Sequence, residues 1–585
     1  MLPYAVHRVS WLRLRAEEGF VALVWCVAAV VLVSYVGQHA GTLPFTDDVL
    51  MGRYLDPTVD IDLHVLWAQH NEHRIPLPKL LYMALVGGFR DLRAGCWFHV
   101  LALLAVSLGL LLVLRERTGR WRVSDASIPL ALLTAGNAEN LLNSFQVAFA
   151  LPFALMGTLL AMSLAGFEPR TAARQVPVWA VLLLLVGCGG VGVVYAGVLA
   201  LWPIGASIRA ARARQPGWRG LLLAGAAGGV ALALAVAAYF HDLVPMAAPA
   251  VPGPSDIART AFQYLACGAG ALAMQIEPWP GWLAAAALFA GALSVIRGLR
   301  AGAPAASAVA AQLAAGAVLA VVVGIGRAAD GPNAGFANRY VELSALLLCT
   351  SHLALRSFAR GAWARLAELV LFACLLAWSL GGHTFALNLA HGRAIIQRRF
   401  EEQARQGAGI EELARANWRG FFYGEEAFAD ELRAWQRAGF LEDVRPGERL
   451  VEVEGVRPSA LLPGTLRGLE HEVELEPRGF GGRYALVTRG ALRIELAVPP
   501  GARSLRMLVA NEPAGQPLRY GVQVTGDGTL LLESEVEALE QVPAGARIVV
   551  PLSNSTPERV DVRFYPLPGP RGWLVLSAVR FTERE

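Results

Sequence analysis

The chain has 585 residues, of which 55% are hydrophobic and 17% charged, with a mean hydropathy of +0.44. Soluble domains carry about 25% charged residues, so this composition belongs to membrane proteins. A net charge of only +4 offers no basic field for nucleic acid, which is not expected as a partner.

The N-terminus (MLPYAVHRVSWLRLR) is basic, and the apolar run that follows at 20–36 has no small-residue cleavage site. It reads as an uncleaved first transmembrane helix rather than a signal peptide. A spanning helix needs about 20 apolar residues. Predicted spans lie at 19–39, 97–114, 126–136, 147–165, 176–189, 191–208, 220–240, 281–297, 304–325, 340–356 and 364–382. The fold class is thus a polytopic α-helical membrane protein of about eleven transmembrane helices. The spans at 126–136 and 176–189 are short.

Arg-rich connections at 115–122, 168–174, 209–219, 297–300 and 356–365 mark the cytoplasmic side. Segment 257–275 is apolar enough to span, but counting it would invert that pattern, so it is expected to be re-entrant or interfacial. The loops at 41–95, 137–146, 241–256 and 326–340, and everything after His383, then fall on the opposite, extracytoplasmic side. The expected location is a bacterial inner (plasma) membrane, crossed many times, with the C-terminal domain on the periplasmic side.

Titratable groups at a membrane boundary are costly unless they face water or each other, so clusters there are functional candidates. Asp47 and Asp48 follow the first span almost directly. Such a pair can act as general base or hold a metal; the plainer reading is a solvated, helix-capping pair. The stretch DIDLHVLWAQHNEHR is expected to be an interfacial helix ended by Pro76 and Pro78, with His70, His73 and Arg74 on one face. Arg74 could clamp a phosphate, and Glu72 with a histidine could form an acid–base pair. His70, Asn71, Glu72, His73 and Arg74 are therefore candidate substrate-binding residues. The spacing is not HExxH, which argues against a zincin. Asp60 and Asp62 form a DxD that could hold a divalent cation; no cofactor is otherwise indicated.

The NAENLLNSFQ segment supplies Asn137, Glu139, Asn140, Asn143 and Gln146, whose polar groups can bond sugar hydroxyls or simply satisfy neighbouring helices. The GRAADGPNAGFANRY segment supplies Arg327, Asp330, Asn333, Asn338, Arg339 and Tyr340. An arginine fork there suits phosphate; the plainer reading is an ion pair with Glu342 or a loop carboxylate. His99 and His352 read as satisfied bundle residues, and the six cysteines as small buried groups. The run GCGGVGVVYAG (187–197) lacks a P-loop lysine and suggests close helix packing or a broken helix.

From about Thr384 the chain turns charged. Residues 391–440 have helical periodicity, and from Arg449 short alternating strands separated by Gly/Pro turns predict an antiparallel β-sandwich of jelly-roll kind. The expected domains are 1–383 (transmembrane), 384–447 (helical linker) and 448–585 (β-sandwich).

The membrane portion resembles the GT-C class of multispanning glycosyltransferases, which carry an acidic motif in the first extracytoplasmic loop followed by juxtamembrane helices. It also looks like bacterial membrane proteins with TDD, HNEHR, EN…FQ and RY motifs, here Thr46–Asp48, His70–Arg74, Glu139–Gln146 and Arg339–Tyr340. No WWD-type oligosaccharyltransferase motif is present. The resemblance implies transfer of a sugar from a polyprenyl-phosphate donor to a glycan or glycolipid acceptor, with Asp47 or Asp48 as base. Two rivals remain at this point: a transporter or flippase of lipid-linked glycans, and a non-catalytic envelope-assembly protein.

Overall fold

The computed structural model describes residues 2–244, 252–405, 408–422 and 424–441, then nine strands, with the backbone alone for residues 2–15 and most of the strands. The chain divides into two compact units: one comprises 1–403 and 410–440, the other 404–409 and 441–585.

In the first unit the long helices are α1 (Leu2–His39), α4 (Ala94–Thr118), α7 (Val147–Leu164), the consecutive α9 (Gly190–Leu199) and α10 (Leu201–Arg212), α11 (Trp218–Phe240), α13 (Trp279–Arg300), α14 (Ala306–Arg327), α15 (Val341–Phe358) and α16 (Ala362–Arg405). Short helices intervene: α2 (Leu63–Trp67), α3 (Pro76–Tyr82), α5 (Ser127–Leu132), α6 (Ala138–Leu141), α8 (Ala172–Val186) and α12 (Pro254–Ala266). After α16 come α17 (Ile410–Phe421) and α18 (Glu425–Arg437). Among the described residues nine helices are long and apolar enough to cross a membrane, α9 and α10 counting as one. The protein is a multi-pass helical membrane protein. Helix α15 is the central post, since every residue from Val341 to Arg356 is buried.

Two expected spans differ from that set. The span at 126–136 is not a crossing helix. Residues 123–146 form short α and 3-10 turns, almost wholly buried. This broken segment runs the length of α15: Asp125 meets Arg356 at one end, and Asn140 meets Asn338 at the other. Irregular backbone at membrane depth is tolerated only where protein shields it, and here α1, α4 and α15 do so. The span at 176–189 is the 15-residue α8, which ends at Val186 before Gly187–Gly189, where Gly189 has φ +102°.

Segment 257–275 forms α12 and a 3-10 run (Cys267–Met274) broken at Gly270. It does not figure among the long apolar helices. Its neighbours are Gly324, Gly335, Ser344 and Gly136, all near one end of the bundle. Three backbones converge there: a Cβ on Gly136 would meet the Cα atoms of Gly270 and Gly382 at 3.4 and 3.5 Å.

The expected boundary at 383/384 is not a break, because α16 continues unbroken to Arg405. Helices α17 and α18 belong to the same compact unit as the membrane helices. Four cysteines are buried, Cys374 is half-buried and Cys26 is exposed on α1, so the expectation of burial fails for Cys26; all six are free thiols.

In the second unit the strands are β1 (Glu448–Val451), β2 (Leu486–Thr488), β3 (Leu492–Ala497), β4 (Ala502–Glu512), β5 (Leu518–Gly526), β6 (Thr529–Ala538), β7 (Ala546–Pro551), β8 (Arg559–Pro566) and β9 (Trp573–Arg584). They pair antiparallel in two sheets, β1-β9-β4-β7 with β2 also on β9, and β3-β8-β5-β6. Val522, Val524, Val560 and Val562 are buried, the alternation of strands with one face in a core. Of the alternating segments expected from Arg449 on, residues 452–485 lie outside the described residues.

Candidate functional site

The site forms at one end of the helix bundle, on the loop after α1. Thr46 has φ +49°, an outlier for a β-branched residue, and its hydroxyl accepts from Asn143 Nδ2 at 2.8 Å. That kink starts a 3-10 turn, Thr46–Tyr54, carrying Asp47 and Asp48. Helix α18 packs on this turn. Trp435 Nε1 donates to Val49 O at 3.0 Å, Arg53 pairs with Glu431, and Arg437 Nε reaches Asp56 Oδ2 at 2.7 Å. A side chain at Gly52 would strike the Trp435 ring.

Asp48 is 2% exposed, and its Oδ1 accepts the Phe145 N–H at 2.6 Å. Burial pushes its carboxyl up to about 7, opposed by the charge of Arg393 and by the Phe145 N–H. Asp47 is half-buried. Burial raises it too, against the pull of Arg339 and a hydrogen bond from Asn71. Glu139 on α6 is likewise raised by burial and faces Arg339, Arg393 and Asp47. Three carboxylates from two loops thus share two guanidinium groups. Arg339 lies 5.7 Å over the Tyr340 ring and Arg393 4.2 Å over the Phe45 ring, and neither is in an ion pair among the described residues. Glu342 pairs not with Arg339 but with His99.

The HNEHR run is not helical as expected. Helix α2 lasts only from Leu63 to Trp67, capped at its start by Asp62, which accepts from Val65 N at 2.8 Å. At its end the buried Lys79 ammonium meets the carbonyls of Val65, Leu66 and Ala68 at 3.4, 3.3 and 2.7 Å. Burial, with Arg53 and Arg74 nearby, lowers Lys79 to about 8. Pro76 and Pro78 begin α3 rather than ending a helix, because a proline ring suits the first helical turn. His70 and His73 meet through a tight backbone bridge, with Asn71 at φ +50°.

His70 stacks on Phe145 at 4.8 Å, and burial keeps it neutral down to about 4. His73 is lowered to about 4 by burial and Arg339, and lies 3.4 Å from the Tyr239 hydroxyl. Glu72 pairs with Arg327, which also holds Asp330 at 3.2 Å. Arg74 is buried, donating to the carbonyls of Trp67, Tyr239 and His241 at 2.9, 3.1 and 2.6 Å. It ties the loop to the end of α11 and presents no free fork to a phosphate, contrary to the expectation for it. Asp62 is used as a cap and Asp60 is exposed. Among the described residues no group of three or more His, Cys, Asp or Glu side chains could hold a metal.

The polar groups of the 137–146 segment sit on short irregular turns that lead into α7. Asn338 ties the segment to the 326–340 loop: its Oδ1 accepts the Glu139 N–H at 3.0 Å, and its Nδ2 donates to Gly136 O at 2.9 Å. The Tyr82 hydroxyl is hydrogen-bonded to the Asp48 carboxylate, while His70 Nε2 and Gln146 Oε1 are buried without hydrogen-bond partners among the described residues. Buried polar atoms are normally paired, so such orphans mark where water or a ligand completes the bonding. Tyr340 is buried between Phe149 and Tyr264, at 6.4 and 5.6 Å between ring centroids. Its side chain is also hydrogen-bonded to Arg339.

No protein-family model and no curated protein matches the chain. Solved structures that match include the cryo-EM structure of arabinosyltransferase EmbB from Mycobacterium smegmatis, at 12% sequence identity, covering 96% of this chain and 64% of that one. The chain thus spans 64% of the length of that structure. At a TM-score of 0.31 the match establishes no shared fold.

Sequence reasoning missed Arg393, Lys79 and Tyr82. Arg393 lies 31 residues into a 44-residue helix whose apolar run had ended, so it read as solvated linker. A signal existed in Lys79, a lysine followed at once by the apolar run LLYMALV.

The raised carboxyl of Asp48 makes stability depend on pH with a defined sign. Its folded value, about 7, lies above the usual carboxylate range near 4, so the native state holds an extra proton between them. Stability from this group is fully present below about pH 4 and is lost as pH rises through about 7. Arg393→Gln removes the cation that favours the ionised form, so thermal melts should show the decline reaching to higher pH. An unshifted profile would mean that Arg393 does not set the Asp48 titration.

Proposed function

We propose that the protein is a membrane glycosyltransferase of GT-C type that uses a polyprenyl-phosphate sugar donor and an extracytoplasmic glycan or glycolipid acceptor. The observation that carries this reading is the pair Arg339 and Arg393, two unpaired guanidinium groups flanking Asp47, Asp48 and Glu139 at one end of a helix bundle. Arg74 and Arg327 are committed elsewhere, so the donor phosphate goes to Arg339 and Arg393.

Asp47 is the base. It is reachable, whereas Asp48 is buried with one oxygen taken by the Phe145 N–H. Asp47 removes the acceptor hydroxyl proton as that oxygen attacks the anomeric carbon. The bond from that carbon to the phosphate oxygen breaks, and the lipid phosphate leaves with the electron pair. Its growing charge meets the two arginines, and the product linkage is inverted. His70 and His73, both neutral near pH 7, can donate or accept hydrogen bonds to the acceptor.

The positive-inside pattern supports placing this end on the periplasmic side of a bacterial inner membrane. For the second unit, the strand orders β1-β9-β4-β7 and β3-β8-β5-β6 support a jelly roll, in which two four-stranded antiparallel sheets interleave along the chain. A flippase reading has less support, because the buried charges at the other end of the bundle, Asp125 and Arg356, are paired with each other.

The test is mass spectrometry of lipids co-purified with wild type and Arg339→Ala. Wild type should carry a polyprenyl-phosphate sugar, and the variant about tenfold less or lower, since a hydrogen bond to a charged group contributes about 1.5–3 kcal/mol. No such lipid on wild type, or equal amounts on both, would sink the reading.

A further inference from the structure

Thr46, with φ +49°, stands immediately before Asp47. A β-branched residue keeps that backbone only where the surrounding contacts over-determine it. One set of contacts comes from the 143–146 segment, which holds Thr46 through Asn143 and Asp48 through the Phe145 N–H. The other comes from α17 and α18, in the stretch whose sequence reads as a helical linker.

Phe421, the last residue of α17, packs on Phe45 with ring centroids 4.5 Å apart, and Phe400 and Phe428 back it at 5.3 and 5.7 Å. On α18, Glu431 and Trp435 are four residues apart and so share a face. Glu431 takes Arg53. The fully buried Trp435 donates its indole N–H to Val49 O at 3.0 Å and fills the space beside Gly52. Two residues on, Arg437 reaches the buried Asp56 at 2.7 Å. These α18 contacts join residues 378 to 386 apart in sequence. Asp47 and Asp48 lie between the first anchored residue, Phe45, and the second, Val49.

We infer that Phe421, Trp435 and Arg437 are positioning residues, through which α17 and α18 clamp the Thr46–Tyr54 turn and fix where its two carboxylates stand. The reaction they serve rests on the transferase reading; the clamp itself rests on these contacts. Arg339 and Arg393 lie on other elements, the 338–340 turn and α16, so loosening α18 should leave donor capture intact. It should slow the chemical step, because a base displaced by about 1 Å can cost about a hundredfold in rate.

The experiment uses the full chain in lipid nanodiscs. It reads amide hydrogen exchange over 45–56, the co-purified polyprenyl-phosphate sugar, and turnover of that sugar. Trp435→Phe keeps an aromatic ring and removes the donor to Val49 O. Exchange over 45–56 should rise about fivefold, the effect of one lost hydrogen bond. Turnover per folded molecule should fall about tenfold or more, with bound lipid at the wild-type level. Arg437→Gln should act in the same direction. Arg437→Lys, whose ammonium can still pair with Asp56, should bring both values back toward wild type. Arg433→Gln is the control and should match wild type throughout, since Arg433 pairs with Glu411 and Asp430 instead of the turn. If Trp435→Phe does not fold, Arg437→Gln decides.

Unchanged exchange over 45–56 in the folded variants overturns the clamp. So does a rise spread evenly along the chain, which reports general loosening. A local rise with turnover unchanged overturns the positioning role and leaves the transferase reading standing. A local rise in a protein that carries no lipid-linked sugar sinks the transferase reading and keeps the clamp.

Discussion

Asp47→Asn should abolish sugar transfer, by about two to four orders of magnitude, while the protein still folds and still binds donor. The substitution keeps the shape of the side chain and removes only its capacity to take a proton. Asp47 is the carboxylate with room for an incoming hydroxyl, and Arg339 and Asn71 fix its orientation. The Arg339–Arg393 pair is untouched, so donor binding survives. Asp48→Asn is the informative companion. Its Oδ1 accepts the Phe145 N–H, and an amide oxygen can do the same, so the loop should keep its form. What disappears is the fall in stability toward pH 7 and the charge opposite Arg393. Transfer should drop far less than in Asp47→Asn, measured as turnover of the co-purified donor at several pH values. If Asp48→Asn is dead and Asp47→Asn active, the two roles are exchanged.

The second large effect lies at the far end of the bundle. Asp125 is fully buried and receives Arg356 Nε at 2.7 Å, Arg356 Nη2 at 3.1 Å and His352 Nε2 at 3.0 Å. Its Oδ2 also accepts the Arg122 N–H at 2.7 Å, starting the broken segment 123–146. Asp125→Ala strands a guanidinium and an imidazole away from water, and should destabilise the protein by about 3–5 kcal/mol. Adding Arg356→Met removes the stranded charge and should restore much of that loss, because the penalty comes from the unpaired ion. Thermal unfolding in one detergent measures both variants. Transfer per folded molecule should stay near wild type, since this cluster and the site lie at opposite ends of α15. A melting temperature unchanged by Asp125→Ala would show that water reaches the cluster.

The membrane helices were legible because the bilayer demands long apolar runs, and composition alone reports them. The exceptions are instructive. Residues 126–136 are as apolar as a span, yet they lie inside the bundle, where neighbouring helices shield them and no complete helix is required. Apolarity records burial, not the kind of solvent or the regularity of the backbone. The end of α16 was misplaced for the converse reason: the helix outlasts its apolar run, and charge along a helix does not end it.

In the candidate site, residue types were legible and roles were not. Asp47, Asp48, Glu139 and Arg339 stand out as polar groups beside spans, and the fold brings all four together. Arg74 has the same signature, yet its fork is spent on three carbonyls that only folding brings near. Arg393 had no local signature, since the carboxylates whose charge it feels, Glu139 and Asp48, lie some 250 and 345 residues away in sequence. The histidines share a turn instead of a helix face, because Lys79 takes up the carbonyls where α2 stops.

The sequence by itself determined that this is a multi-pass membrane protein with a strand-rich C-terminal portion and a few uneconomical charges beside its spans. Hydropathy, alternation and the cost of burying charge are local properties, written along the chain. Tertiary structure alone decided which arginines are free, which carboxylate is reachable and which buried amides lack partners. Those are properties of pairings between distant residues, and hydrogen bonds and ion pairs are satisfied in space without regard to distance along the chain.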